Sequence, residues 1–373
     1  MKMSLISMSL LALLVTSGCC TALPMVPPSP SASSPADLPQ VYVAGRASSP
    51  PVIDGRLDEG DWQAAPWTIA FRDIEGDAKP DPRFLTRAKM LWDDEYFYVG
   101  ADMIEPHVWG TLTKRDSIIY NDNDFEVFID PDGDNHDYYE LEVNALNTQF
   151  DLMLTKPYRC GGTYDIGWDI DGLKTEVDIR GTLNDASDRD EGWSMEIAIP
   201  WESLRSHANR AVPPRDGDQW PVNFSRVQWK HQLKPDGRYE RIPDVREDNW
   251  TWTPQDAIDM HRPEYWGLVQ FSDRRPGVAV FQPKPDAMAW TILRRLHHAA
   301  EQYRSENERW PTSLAELEGR YQPLEVPGLG VPTVTSNDEG FLVEVRQDVG
   351  GESRVYRFGP DCRRTTTVIS NGA

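Results

Sequence analysis

Cysteine is scarce in this chain, with four in 373 residues and no two in a CxxC spacing, so a thiolate zinc site is not supported. Cys19 and Cys20 fall at a signal junction, which leaves Cys160 and Cys362 for the body of the chain. Sequence cannot settle whether those two pair. Positive charge is also short, at 38 Lys and Arg against 60 Asp and Glu, for a formal charge of −22. Phosphate backbones repel such a chain, so nucleic acid is not an expected partner. There is no GxSxG elbow, no HExxH and no phosphate-binding loop. Carboxylates are so abundant that some glycosidase-like pair would arise by chance, and no residue is assigned a catalytic role.

The first residues, MKMSLISMSLLALLVTSGCC, join Lys2 to an apolar run ending at Val15 that is too short to span a bilayer comfortably. They read as an export signal over 1–18. Val15-Thr16-Ser17-Gly18-Cys19 resembles a bacterial lipobox with Thr16 where Leu is usual. It implies a lipoprotein anchored through a lipidated Cys19 in the cell envelope, and an ordinary secretory signal is the alternative. Residues 19–40 form a Pro/Ser-rich tether that cannot bury enough apolar surface to fold.

From 41 to 275 the chain reads as mainly β, an antiparallel β-sandwich of jelly-roll type. Expected strands include Val41–Gly45, Pro66–Phe71, Leu85–Trp92, Tyr96–Met103, Tyr265–Phe271 and the hairpin Asp124–Asp130 with Tyr138–Asn144. In that hairpin Phe125, Val127 and Ile129, then Tyr139, Leu141 and Val143, alternate with polar residues, as in a strand with one buried face. Residues 283–373 read as a small α+β appendage. There Asp286 can cap a helix running to about Ser305, and Ser313 with Glu316 can form a capping box for a second.

Five segments carry a family resemblance: PVIDGRLDEGDW (51–62), LWDDEYFYVGADM (91–103), NDNDFEVFIDPDGD with YYELEVN (121–144), GWSMEIAIPWESL (192–204) and PEYWGLVQF (263–271). In this order they resemble carbohydrate-binding module family 9-like domains, a DOMON-like β-sandwich. The resemblance implies glycan binding alongside polysaccharide-degrading enzymes, and structural calcium. The expected function is therefore an exported protein that captures polysaccharide or oligosaccharide ends for partner enzymes. The alternatives are a glycoside hydrolase or a non-catalytic envelope protein.

Sugar rings lie flat on aromatic faces while side chains grip their hydroxyls. Candidate platforms are Trp109, Trp168, Trp229 and Trp250, with Trp252 a further possibility; Trp62 reads as a core anchor. Candidate polar contacts are Lys114, Arg115, Asp122, Asn123, Glu126, Asn144 and Arg226, with Glu126 a possible ion partner of Arg226. The hairpin tip offers Asp130, Asp132, Asp134, Asn135 and Asp137 as hard oxygen ligands for Ca2+, although the EF-hand spacing is absent. Each of these residues also has a plain structural reading, as core, turn or ion pair.

Overall fold

The computed structural model describes residues 38–337 and 340–369. The expected signal, Cys19 and most of the 19–40 tether lie outside the described residues. In chain order the strands are β1 (Val41–Arg46), β2 (Arg72–Asp73), β3 (Thr86–Trp92), β4 (Tyr96–Ile104), β5 (Asp124–Ile129), β6 (Tyr138–Asn144), β7 (Gln149–Leu154), β8 (Tyr164–Asp165), β9 (Lys174–Arg180) and β10 (Gly192–Pro200). They continue with β11 (Gln219–Gln228), β12 (His231–Leu233), β13 (Tyr239–Arg241), β14 (Asp248–Thr251), β15 (Gly267–Ser272), β16 (Thr333–Asn337), β17 (Gly340–Val349), β18 (Glu352–Phe358) and β19 (Arg364–Ile369). The α-helices are α1 (Gly60–Ala64), α2 (Trp201–Leu204) and α3 (Ala287–Asn307).

A 13-stranded sheet, ordered β8-β7-β6-β5-β11-β15-β1-β3-β4-β10-β9 with β14 off β11 and β2 off β14, curls into the two layers of a sandwich. β11 makes the turn between layers: its first half pairs β15 and its second half pairs β14. All neighbours in this sheet are antiparallel except β1, which lies parallel between β15 and β3. The alternation seen in sequence explains the core. Phe125, Val127, Ile129, Leu141 and Val143 point inward from one layer and meet Met90, Val99, Ala101, Met195 and Ile197 from the other. Trp62 is fully buried, and its indole N–H donates to the Glu196 carboxylate at 2.7 Å.

Pro66–Phe71 is not a strand. Only Thr68 and Phe71 donate to β3 carbonyls, so no ladder forms before Arg72. The hairpin β12–β13 and the short strand β14 were not expected; their apolar content is too low for a period to show.

In the appendage α3 lies against the sheet β16-β17-β18-β19, burying Ile292, Leu296, Ala299 and Tyr303 on Val343, Val345 and Phe358. Asp286 stands at its N-cap without a side-chain capping bond. The expected capping box is displaced by one residue: Ser313 makes no such bond, and Glu316 accepts from the Thr312 N–H at 2.6 Å and hydroxyl at 3.0 Å. Cys160 and Cys362 form a disulfide that ties the appendage to the segment after β7.

Candidate functional site

A groove of about 450 Å³ runs over the outer face of β5, β6 and β7. Period two places it there: the residues between the inward-facing apolar ones all face the same way. Glu126 on β5 lies opposite Glu142 on β6, and Phe128 lies opposite Glu140. Glu142 in turn faces Phe150 on β7, and Glu140 faces Leu152. These side chains make a floor that alternates carboxylate and apolar surface. Above it stand three tyrosines: Tyr120 from the segment before β5, and Tyr158 and Tyr164 from the segment after β7, at 44%, 42% and 58% exposure.

The rim is held in place. The Tyr120 N–H donates to Glu142 Oε2 at 2.7 Å, while its carbonyl accepts from the Trp229 indole N–H at 2.8 Å. Tyr158 packs edge-on against His261, with ring centroids 4.5 Å apart. His261 is bonded through Nδ1 to the Tyr138 hydroxyl at 3.1 Å, and burial pushes its pKa down to about 4.

No lysine or arginine stands among the carboxyl groups of the floor. Burial raises Glu126 to about 7, and burial together with neighbouring carboxylates holds Asp124, Glu140 and Glu142 well above the ordinary range. Ligand oxygens of Asp124, Glu126 and Glu142 lie within 4.8 Å of one another. A narrower crevice of about 240 Å³, at the seam with the appendage, differs in this respect, since Arg210, Arg294 and Arg364 line it together with Asp132 and Asp134.

Of the expected sugar-contact residues, only Glu126 lines the groove. Trp109 and Trp250 are each 2% exposed and offer no open face. Trp109 lies under the unforeseen β12–β13 hairpin, stacked on Tyr239 with ring centroids 6.1 Å apart. Trp250 packs in the core with the Arg83 and Arg226 guanidinium groups over its ring. Trp252 is buried as well. Trp168 is half-buried against Tyr139, at 4.7 Å between centroids, and Trp229 is half-buried beneath Arg241.

The polar candidates are mostly engaged elsewhere. Arg226 pairs with Glu105 at 3.0 Å and not with Glu126. Arg115 is spent on Asp151 at 2.6 Å and Asp169 at 2.9 Å. Asp122 accepts from the Thr111 and Leu112 amides, and Asn144 donates to Asp122, so both pin a loop. Asn123 accepts from the Trp229 amide at 2.7 Å. Lys114 is exposed and lies outside the groove lining. Sequence reasoning missed Tyr120, Glu140, Glu142, Tyr158 and Tyr164. The glutamates could have been found, since they fill the polar phase of the same hairpin as Glu126.

The tip between β5 and β6 is not a free solvated loop. Asn135 donates its amide to the Cys362 carbonyl at 3.0 Å, and Arg363 pairs with Asp134 at 2.7 Å. Asp130, Asp132 and Asp134 nonetheless cluster with oxygens within 4.8 Å, and buried Asn135 Oδ1 has no hydrogen-bond partner. Asp137 stands outside that cluster.

Residues 53–213 match the family model described as carbohydrate family 9 binding domain-like. Exoglucanase XynX of Acetivibrio thermocellus is 29% identical over 154 residues, which is 41% of this chain and 12% of that protein. Endo-1,4-beta-xylanase A of Thermotoga maritima is 26% identical over 184 residues, 47% of this chain and 14% of that protein. The match thus spans a small part of either relative. Among solved structures, a carbohydrate binding module family 9 from Caldicellulosiruptor kristjanssonii in complex with cellotriose is similar at 18% identity and a TM-score of 0.41, covering 66% of this chain and 100% of that one. A protein from Bacteroides uniformis gives 14% identity and a TM-score of 0.42, covering 63% of this chain and 100% of that one.

Proposed function

We propose that the protein, whose residues 53–213 match the carbohydrate family 9 binding domain-like model, binds carbohydrate in the groove over β5, β6 and β7, holding it for polysaccharide-degrading partner enzymes. The observation that carries the proposal is a concave floor of hydrogen-bond acceptors ringed by three solvent-open tyrosines, all supplied by the matched segment. Tyrosine faces suit the apolar C–H faces of pyranose rings, and carboxylates suit their hydroxyls. The names of the matched relatives, an exoglucanase and a xylanase, make cello- and xylo-oligosaccharides the first ligands to try.

Isothermal titration of the full chain is expected to show saturable binding to at least one such oligosaccharide. Tyr120→Ala, which removes a rim face and leaves the fold intact by circular dichroism, is expected to weaken binding by about tenfold. Flat heats for every oligosaccharide tried would remove the proposal.

In the same reading the β5–β6 tip takes calcium. Asp130, Asp132 and Asp134 with the unpartnered Asn135 oxygen form a set of hard donors. A cation bound only by the folded state raises stability. Millimolar calcium is expected to raise the melting temperature by several degrees, with chelator reversing the gain. A midpoint indifferent to both would count against the site.

A further inference from the structure

The groove has an electrostatic character that a neutral sugar does not explain. Four carboxylates line it, from Asp116, Glu126, Glu140 and Glu142, and no lysine or arginine does. Its histidine, His261, is half-buried and bonded to Tyr138. Glu140 is 6% exposed and lines the groove, and its side-chain carboxyl makes neither a hydrogen bond nor an ion pair among the described residues. Asp124 Oδ2, beside the same cluster, is buried and without a partner. Other buried carboxyl groups have a cation or donors: Arg226 pairs with Glu105, Arg159 with Glu264, and Glu196 accepts from the Trp62 indole and the Asp54 and Gly55 amides.

Buried carboxylates left without donors cost free energy, and a ligand that brings both donors and positive charge relieves it. The rim suits the same ligand, because tyrosine faces attract ammonium groups as well as C–H surfaces. Resting on the reading that the groove binds carbohydrate, we infer that its preferred ligand is an amino sugar with a free, protonated amine, such as a residue of a deacetylated chitin-type chain. The ammonium lies over Glu140 and Glu126, and the ring is held between the tyrosines. A divalent cation alone would satisfy Asp124, Glu126 and Glu142 but would leave the aromatic rim unused.

The test is titration of the chelator-treated full chain at pH 7 with glucosamine tetramer, its fully N-acetylated counterpart and cellotetraose. The glucosamine tetramer is expected to bind at least about tenfold more tightly than either neutral oligomer, an advantage that shrinks with added salt. Glu140→Gln, an isosteric change checked for folding by circular dichroism, is expected to cut that advantage below about threefold. Equal or tighter binding of a neutral oligomer overturns the inference while the carbohydrate reading stands. So does an advantage unchanged in Glu140→Gln. Saturable binding of calcium or manganese that depends on Glu126 and Glu142, with no preference for the amine, overturns it in favour of a metal site. If no oligosaccharide binds at all, both readings fall together.

Discussion

Arg226→Met is expected to destabilise the folded chain by about 3–5 kcal/mol, the usual cost of breaking a buried ion pair from one side. Arg226 is 1% exposed, and its guanidinium donates to Glu105 at 3.0 Å, to the Thr86 hydroxyl and Ile104 carbonyl at 3.0 Å, and to Gln228 at 2.6 Å. Removing it strands the Glu105 carboxylate, itself 2% exposed, with no cation to replace the lost one. Four acceptors lose their donor at once, and each carries a desolvation cost. The double variant Arg226→Met with Glu105→Leu, which leaves no buried charge, is expected to recover much of the loss. Urea denaturation measures both, as a fall in midpoint at constant slope. A single variant costing under about 1 kcal/mol would show that water reaches this pair and that its burial has been misread.

Glu126→Gln is expected to act in the opposite direction, and only above mildly acidic pH. Burial raises the Glu126 carboxyl from 4.5 to about 7. The folded state therefore holds this proton more tightly than the unfolded chain does. The stability that the proton confers is fully present below pH 4.5 and is lost as pH rises through about 7. At pH 8 the charged group sits in an unfavourable place, and an uncharged amide of the same shape removes the penalty, on the order of 2–3 kcal/mol. The gain is expected to vanish near pH 4, where the native carboxyl is protonated in both states. Glu301 runs the other way: burial opposes its charge, but His297, Arg159 and Arg262 prevail and hold it down to about 2. Its contribution is present above about pH 4.5 and is lost as pH falls through 2, so it does not mask the Glu126 effect in the window between. Melting curves of both proteins from pH 4 to pH 8 decide the matter. A variant no more stable than the native chain at pH 8 would mean that Glu126 is already compensated in solution.

The site shows where sequence reasoning succeeds and where it stops. Glu126 was legible because the phase of the β5–β6 hairpin assigns it to the face opposite Phe125 and Val127. That phase also carries Glu140 and Glu142. The tryptophans failed for a different reason. Trp109 and Trp250 sit among Gly, Pro, Asn and Asp, a composition that suggests loops, but loop residues need not be exposed. One is roofed by the β12–β13 hairpin and the other is packed in the core against two arginines. The tyrosines that do stay open come from segments with no period at all.

What the sequence determined by itself was the local physics. Alternating apolar residues fixed the faces of β5, β6, β4 and β10, and an apolar helical stripe fixed the buried side of α3, because both patterns depend only on neighbours along the chain. What only the tertiary structure decided was which distant groups meet. The curl of one sheet through β11 brought Arg226 to Glu105, the appendage covered the acidic tip, and the ends of β5 and β7 set three tyrosines over three glutamates. Those encounters follow from how the layers close around a common core, and no spacing in the chain encodes them.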